Sequence, residues 1–268
     1  MSDDYYRLRS TQIAEAIAAD TPVIVCLGAT EQHGSHLPLG TDTYQVEELA
    51  RSAIRFLDTR GIAALLGPSI PFGPRQFQCE APVDFPGTIA ISNKTMQQLL
   101  REVCAELIRH GFRRLYIVIG NAESDAPAQI AAKELSEETD AVVTTINWMV
   151  VITELYQGQI SFKTPQGHGG AGETARILAI LPELVDLEAF RTYYPKVPAS
   201  NLDRDALPYL GGGIGRYKLP PDAFDDAFEG IVGAPAEATA EIGQQLFAAI
   251  GKWIADVIAF EEGLWTGR

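Results

Sequence analysis

The sequence predicts an α/β protein, a layered α/β/α arrangement with helices on both faces of a mainly parallel sheet. Three observations lead there. Short apolar runs, partly β-branched, alternate along the chain with longer segments whose apolar residues recur at helical spacing. Most of those short runs are apolar throughout rather than at every second position, as strands covered on both faces must be. No run of about 18 apolar residues occurs, so no membrane span is expected.

The first strand is read in PVIVCLG (22–28) and the next in IAALLGPSI (62–70), followed by RLYIVIG (114–120) and AVVTTINWMV (141–150). Residues 43–57 between the first two read as a helix, with Asp42 placed as its N-cap. The clearest helix follows Ser92 and Asn93. Met96, Leu99, Leu100, Val103, Cys104, Leu107 and Ile108 share one face, and Gly111 supplies the stop. Helices are also expected over 125–137, 171–181 and 236–260, and the Pro- and Gly-rich stretch 195–235 as an ordered excursion over the surface. Neither repeat nor linker interrupts residues 1–268, which read as a single domain.

Composition excludes more than it suggests. The 268 residues are 46% apolar and 21% charged, the balance of a globular protein, and the net charge is −14. Such acidity argues against a nucleic-acid partner, which needs clustered Lys and Arg, and against an anionic membrane surface. The N-terminal MSDDYYRLRSTQ lacks the apolar stretch of a secretory signal. Cys26, Cys79 and Cys104, odd in number and set among apolar residues, read as reduced core thiols, and a cytoplasmic location is expected.

In open parallel sheets ligands bind beyond the carboxyl ends of the strands, which directs attention to the loops after Gly28 and Gly120. Only four histidines occur, and two lie in the first of these loops, Glu31-Gln32-His33-Gly34-Ser35-His36. Glu31 and His33, two apart in an extended segment, point the same way, and Asp42 follows after a turn that can fold back. Carboxylates and an imidazole converging there suit a divalent ion such as Zn²⁺ or Mn²⁺; the same polar residues would also serve to cap the next helix. The loop after the third strand carries Glu123 and Asp125, either acidic residues at a helix start or side chains reaching the first loop. His168 sits between glycines in Gln166-Gly167-His168-Gly169, where Glu173 is placed to orient it, or else it is a surface residue. His110 reads as a helix C-terminal partner, and Cys26, inside a strand, has no nucleophilic role. Gly211-Gly212-Gly213-Ile214-Gly215 lacks the flanking strand and helix of a nucleotide loop.

The segments GATEQHGSHLPLGTD (28–42), FPGTIAIS (85–92), GHGGAGETARILAILPELVDL (167–187) and GIVGAPAEATAEIG (230–243) resemble the creatininase (creatinine amidohydrolase) family. The resemblance implies an amide-cleaving hydrolase with two divalent ions, Zn or Mn, in a homo-oligomer. It places Glu31 on one ion, His33 on the other and Asp42 between them. It also implies a His and then a Glu after the third strand, where this chain has Asn121 and Glu123. Glu123 would keep its place beside His33, whereas Asn121 is a weak, neutral donor. One ion would then be loosely held or absent, Asp125 would substitute, or Mn²⁺ or Mg²⁺ would be preferred over Zn²⁺.

The expected reaction is attack of metal-activated water on a small cyclic or linear amide other than creatinine, with Glu123 accepting a proton. His168, its ring held by Glu173, would protonate the leaving nitrogen. The alternatives are a deformylase, a small-peptide peptidase, or a non-catalytic metal- or ligand-binding member. Arg75, Arg204, Arg216 and Lys218 read as surface charges or else as contacts for a phosphate-bearing substrate, segment 74–82 is a candidate pocket lining, and Trp148 is a substrate cover or a core aromatic.

Overall fold

A computed structural model of the chain describes residues 3–75, 85–158, 160, 162–195 and 224–266. Four strands, β1 (Val23–Leu27), β2 (Leu65–Ile70), β3 (Arg114–Ile119) and β4 (Val142–Ile146), form one parallel sheet in the order β2-β1-β3-β4. The chain therefore runs outward from β1 to β2 and then crosses back to the other side of β1. The loops leaving β1 and β3 part at that reversal, the place where open parallel sheets bind ligands.

Every side chain of β1 is buried, and the strand's period of two divides them between two cores. Ile24 and Cys26 face a cluster built with α2 (Thr41–Asp58) and α7 (Ala240–Thr266), which α6 (Ala171–Ile180) also joins. Val23, Val25 and Leu27 face the opposite cluster, covered by α1 (Ser10–Ala18), α3 (Asn93–His110) and α4 (Asp125–Glu138). The three-layer expectation holds for the reason given: strands apolar on both faces need a helix layer on each.

The ends of α3 are as its sequence implies. Ser92 Oγ accepts the Thr95 N–H at 3.1 Å, and Gly111 ends the helix at φ +120°. Three other expectations are corrected. The fourth strand stops at Ile146, because Asn147 Oδ1 accepts the Met149 N–H and starts a further helix, α5 (Met149–Gly158). The last helix begins at Ala240, after a 3-10 turn opened by Pro235. And α2 begins two residues early: Gly40 is its N-cap, so Asp42 lies in the first turn with its carboxylate free for other work. Cys26 and Cys104 are buried free thiols, and burial raises the pKa of both. Cys79, residues 76–82 of the expected pocket lining, Arg204, Gly211–Gly215, Arg216 and Lys218 lie outside the described residues, as does most of the 195–235 excursion. Among the described residues no helix is long and apolar enough to cross a membrane.

Candidate metal centre

The centre forms where α2 starts against the carboxyl ends of β1 and β3. Gly28 is what lets it come so close, since a Cβ there would stand 2.6 Å from the Thr43 Cα. The β1 loop then folds back on itself, with the Glu31 N–H donating to Leu39 O at 2.9 Å. This brings Glu31 and His33 beside Asp42, all three buried, with buried Asn121 arriving from the end of β3.

Charges so far from water persist only where partners replace hydration. His33 Nε2 lies 3.2 Å from Asp42 Oδ1 and 3.5 Å from Glu173 Oε2, while its Nδ1 faces the Glu31 carbonyl oxygen at 3.1 Å. Asn121 Nδ2 donates to Glu31 Oε2 at 2.8 Å and to Asp42 Oδ2 at 3.1 Å. Gln45 Nε2 donates to Asp42 Oδ1 at 3.0 Å, and its own oxygen accepts from Arg176 Nε at 2.6 Å. Arg176 is itself buried, 5.0 Å above the Trp148 ring. Glu173, in the first turn of α6, accepts the Gly169 N–H at 2.7 Å. His168 Nε2 donates to Gln32 O at 2.6 Å, and its ring lies 4.1 Å from that of His33.

The titrations follow from this packing. Burial pulls His33 down, but Asp42, Glu173 and Glu31 outweigh it and lift the imidazole to about 10. Burial raises Asp42, yet the charge and hydrogen bond of His33 and the bond from Asn121 bring it below the usual carboxylate range. His168 falls to about 4 through burial and the neighbouring charge of His33.

Two sets of donor atoms lie within 4.8 Å of one another, Glu31–His33–His168 and His33–Asp42–Glu173. The structure thus gathers Glu31, His33, Asp42, Asn121, His168 and Glu173 from three separate stretches of chain. Glu123 belongs to neither set. It lies half-buried on the 3-10 turn Ala122–Ser124, and burial raises its pKa. Asp125 also stands apart, its Oδ2 accepting from Asn147 Nδ2 at 3.0 Å. Glu173 is turned to His33 and Gly169 rather than to the ring of His168, which the Gln32 carbonyl holds. Asn121 presents hydrogens to the carboxylates, so it is a bridge between them and not a ligand in this arrangement. Trp148 is buried in the core and Arg75 is exposed.

Three participants escaped the sequence reading: Gln45, Arg176 and His36. The first two had a signal, since each follows a site carboxylate by three residues on a helix and so shares its face. His36 is buried with Nε2 2.9 Å from Thr174 Oγ1, and ties the β1 loop to α6.

Fold and centre together define an α/β protein with a buried carboxylate–imidazole donor centre at the reversal of its strand order. The chain belongs to the creatininase family: the family model described as creatinine amidohydrolase matches residues 6–258. It is 30% identical over 189 residues to the creatinine amidohydrolase of Pseudomonas putida, covering 65% of this chain and 70% of that one. It is 28% identical over 265 residues to the mycofactocin precursor peptide peptidase of Mycobacterium tuberculosis, covering 93% and 92%. The 3-dehydro-scyllo-inosose hydrolase of Thermotoga maritima is 23% identical over 263 residues, covering 92% and 79%. Among solved structures, a manganese form of creatininase and a mutant of Zn-Zn type each superpose with a TM-score of 0.74 at 25% identity. They cover 97% of this chain and 99% and 98% of their own. The named relatives are hydrolases.

Proposed function

We propose that the protein is a metal-dependent hydrolase that cleaves a C–N amide-type bond in a small molecule. The observation that carries this reading is the convergence of His33, Asp42, Glu31 and Glu173 in one buried centre at the sheet's carboxyl edge. The donors fit a divalent ion. Hard carboxylate oxygens with one imidazole suit Mn²⁺ or Zn²⁺, and among the described residues the permanent cation nearest the three carboxylates is Arg176, which reaches them mainly through Gln45. His33, Asp42 and the flanking carboxylates would hold the ion, which when bound polarises a carbonyl and lowers the pKa of water from 15.7 to about 7.

The chain's own residues supply the rest. Gln45 and Arg176 fix the Asp42 carboxylate from behind. His168 keeps a hydrogen on Nε2 against Gln32 O, which leaves Nδ1 with the lone pair that takes up a proton and passes it to the leaving nitrogen. Glu173 is fixed by the Gly169 N–H beside that histidine. A peptide bond is the second reading of the scissile bond, favoured by similarity to a named peptide peptidase over nearly the full length of both chains.

The test is hydrolysis of a panel of cyclic amides, formamides and short peptides by protein supplemented with Zn²⁺ or Mn²⁺. Ion-dependent turnover of one class is expected. No turnover of any class, with or without ion, would favour a non-catalytic binding role.

A further inference from the structure

We propose that the centre seats a single divalent ion on His33 Nε2, Asp42 Oδ1 and Glu173 Oε2, and that the Asn121 amide closes the adjoining place to a second. This rests on the metal-dependent reading above and deepens it.

The two donor sets share His33, and an imidazole serves an ion only through a nitrogen that carries a lone pair. Nδ1 faces the Glu31 carbonyl at 3.1 Å, and a carbonyl can only accept, so that nitrogen bears the hydrogen. Nε2 alone is left, and one lone pair serves one ion. The two sets are therefore alternatives and not partners.

Geometry selects between them. In the first set His168 Nε2, 3.9 Å from Glu31 Oε1, also carries a hydrogen, committed to Gln32 O at 2.6 Å. Ligation there would break that bond. In the second set both carboxylates bring lone pairs. Asp42 Oδ1 takes one hydrogen from Gln45, and Glu173 Oε2 takes one from Gly169, so each oxygen keeps a lone pair for an ion. The separations agree as well. Ligands bound at about 2.0–2.1 Å in a tetrahedron stand about 3.3–3.4 Å apart. His33 Nε2 stands 3.2 Å and 3.5 Å from the two oxygens.

Asn121 explains the other side of Asp42. A second ion would lie between Asp42 Oδ2 and Glu31 Oε2, and the two hydrogens of Asn121 Nδ2 already join those oxygens at 3.1 Å and 2.8 Å. The amide could offer its oxygen to an ion there only by turning over and giving up both of these buried bonds, for a neutral and weak donor in return. Charge agrees too. One divalent ion and Arg176 together neutralise Glu31, Asp42 and Glu173, whereas a second ion would leave two positive charges in excess within this group. The assignment makes Glu173 a ligand, while Glu31 serves as an acceptor that holds Asn121 and borders the ion.

The test measures ion content by native mass spectrometry after loading the full chain with Zn²⁺ or Mn²⁺ and desalting. One ion per chain is expected; two would overturn the proposal, and none would overturn the metal-dependent reading itself. Glu173→Gln keeps an acceptor for Gly169 but loses the charge, and should weaken Zn²⁺ at least roughly tenfold in chelator competition. Glu31→Gln should change it less than Glu173→Gln does; equal or greater loss in Glu31→Gln would overturn the assigned seat. Asn121→Asp, nearly isosteric, should admit a second ion. A count still at one in that variant, with thermal melting showing it folded, would overturn the role given to Asn121.

Discussion

Two buried polar clusters sit at opposite ends of the same sheet, and they differ in how their charges close. At the amino end of β3, Arg114 bonds both oxygens of Glu262 at 2.8 and 2.9 Å and Asp20 Oδ2 at 2.7 Å, and Tyr116 OH donates to Glu262 at 2.7 Å. One guanidinium matches the one buried carboxylate, Glu262, while Asp20 is exposed and hydrated by solvent, and the group locks α7 to the sheet. At the carboxyl end Glu31, Asp42 and Glu173 are drawn together with His33, and their nearest permanent cation, Arg176, bonds to Gln45 and lies 4.0 Å from Glu173. The first cluster is complete within the chain. The second gathers acceptors in excess of its own donors, which is the electrostatic condition for holding a cation. A buried charge network by itself therefore says little about function; the sign and size of what is left over says more.

Four substitutions or titrations press on that difference. His33→Ala takes the nitrogen from the acidic cluster and should lower turnover at least roughly 10³-fold, the several kcal/mol that Lewis-acid polarisation supplies. Steady-state hydrolysis at equal supplied Zn²⁺ or Mn²⁺ measures it, and near-wild-type turnover would place the chemistry elsewhere. Glu262→Ala breaks the closed cluster and leaves Arg114 buried without its main partner, at a cost of about 3–5 kcal/mol in urea unfolding. Turnover per folded molecule should not change, and a parallel loss of turnover would dissolve the distinction between the two ends. His168→Ala should retain the ion and lose roughly 10²-fold or more in kcat, the lower range for general acid–base assistance. Loss of ion content in that variant would instead make His168 a ligand.

The smallest effect concerns the apolar layer between the clusters. Burial holds Cys26 protonated above its ordinary range, so the folded state keeps a proton that the unfolded chain gives up near pH 8.5. Stability present below that pH is then lost as pH rises. Cys26→Ala should make the decline shallower by about 1.4 kcal/mol per pH unit. Equal slopes in chemical denaturation at pH 8.5–10 would show a thiol less buried than β1 places it.

The general position of the centre is legible in the sequence. The rule that ligands bind at strand carboxyl ends singled out the loops after Gly28 and Gly120, and Asn121, Glu31 and His33 do meet there. Ser92 and Gly111 marked the ends of α3 because capping is decided within one turn of chain. For Asp42 the sequence leaves two readings, ion ligand and helix cap, because its residue type suits both; Gly40 holds the cap position and Asp42 turns to His33. By its neighbours Asn147 reads as strand although it starts α5, since its effect depends on a side-chain bond two residues on. Glu123 and Glu173 are the instructive pair. Each is an acidic residue near a helix start, and nothing local says that Glu173 faces His33 while Glu123 joins neither donor set.

What the sequence determined alone is what repeats along the chain. The period of two in β1 and the helical period of α3 assign faces residue by residue, and faces assign layers. What only tertiary structure decided is which side chains meet across gaps that no period spans. Asn121 reaches Glu31 over 90 residues and Arg176 reaches Gln45 over 131. Such contacts follow from how α2 and α6 settle on the sheet, and helix packing is set by the summed fit of whole apolar faces rather than by the polar residues it brings together.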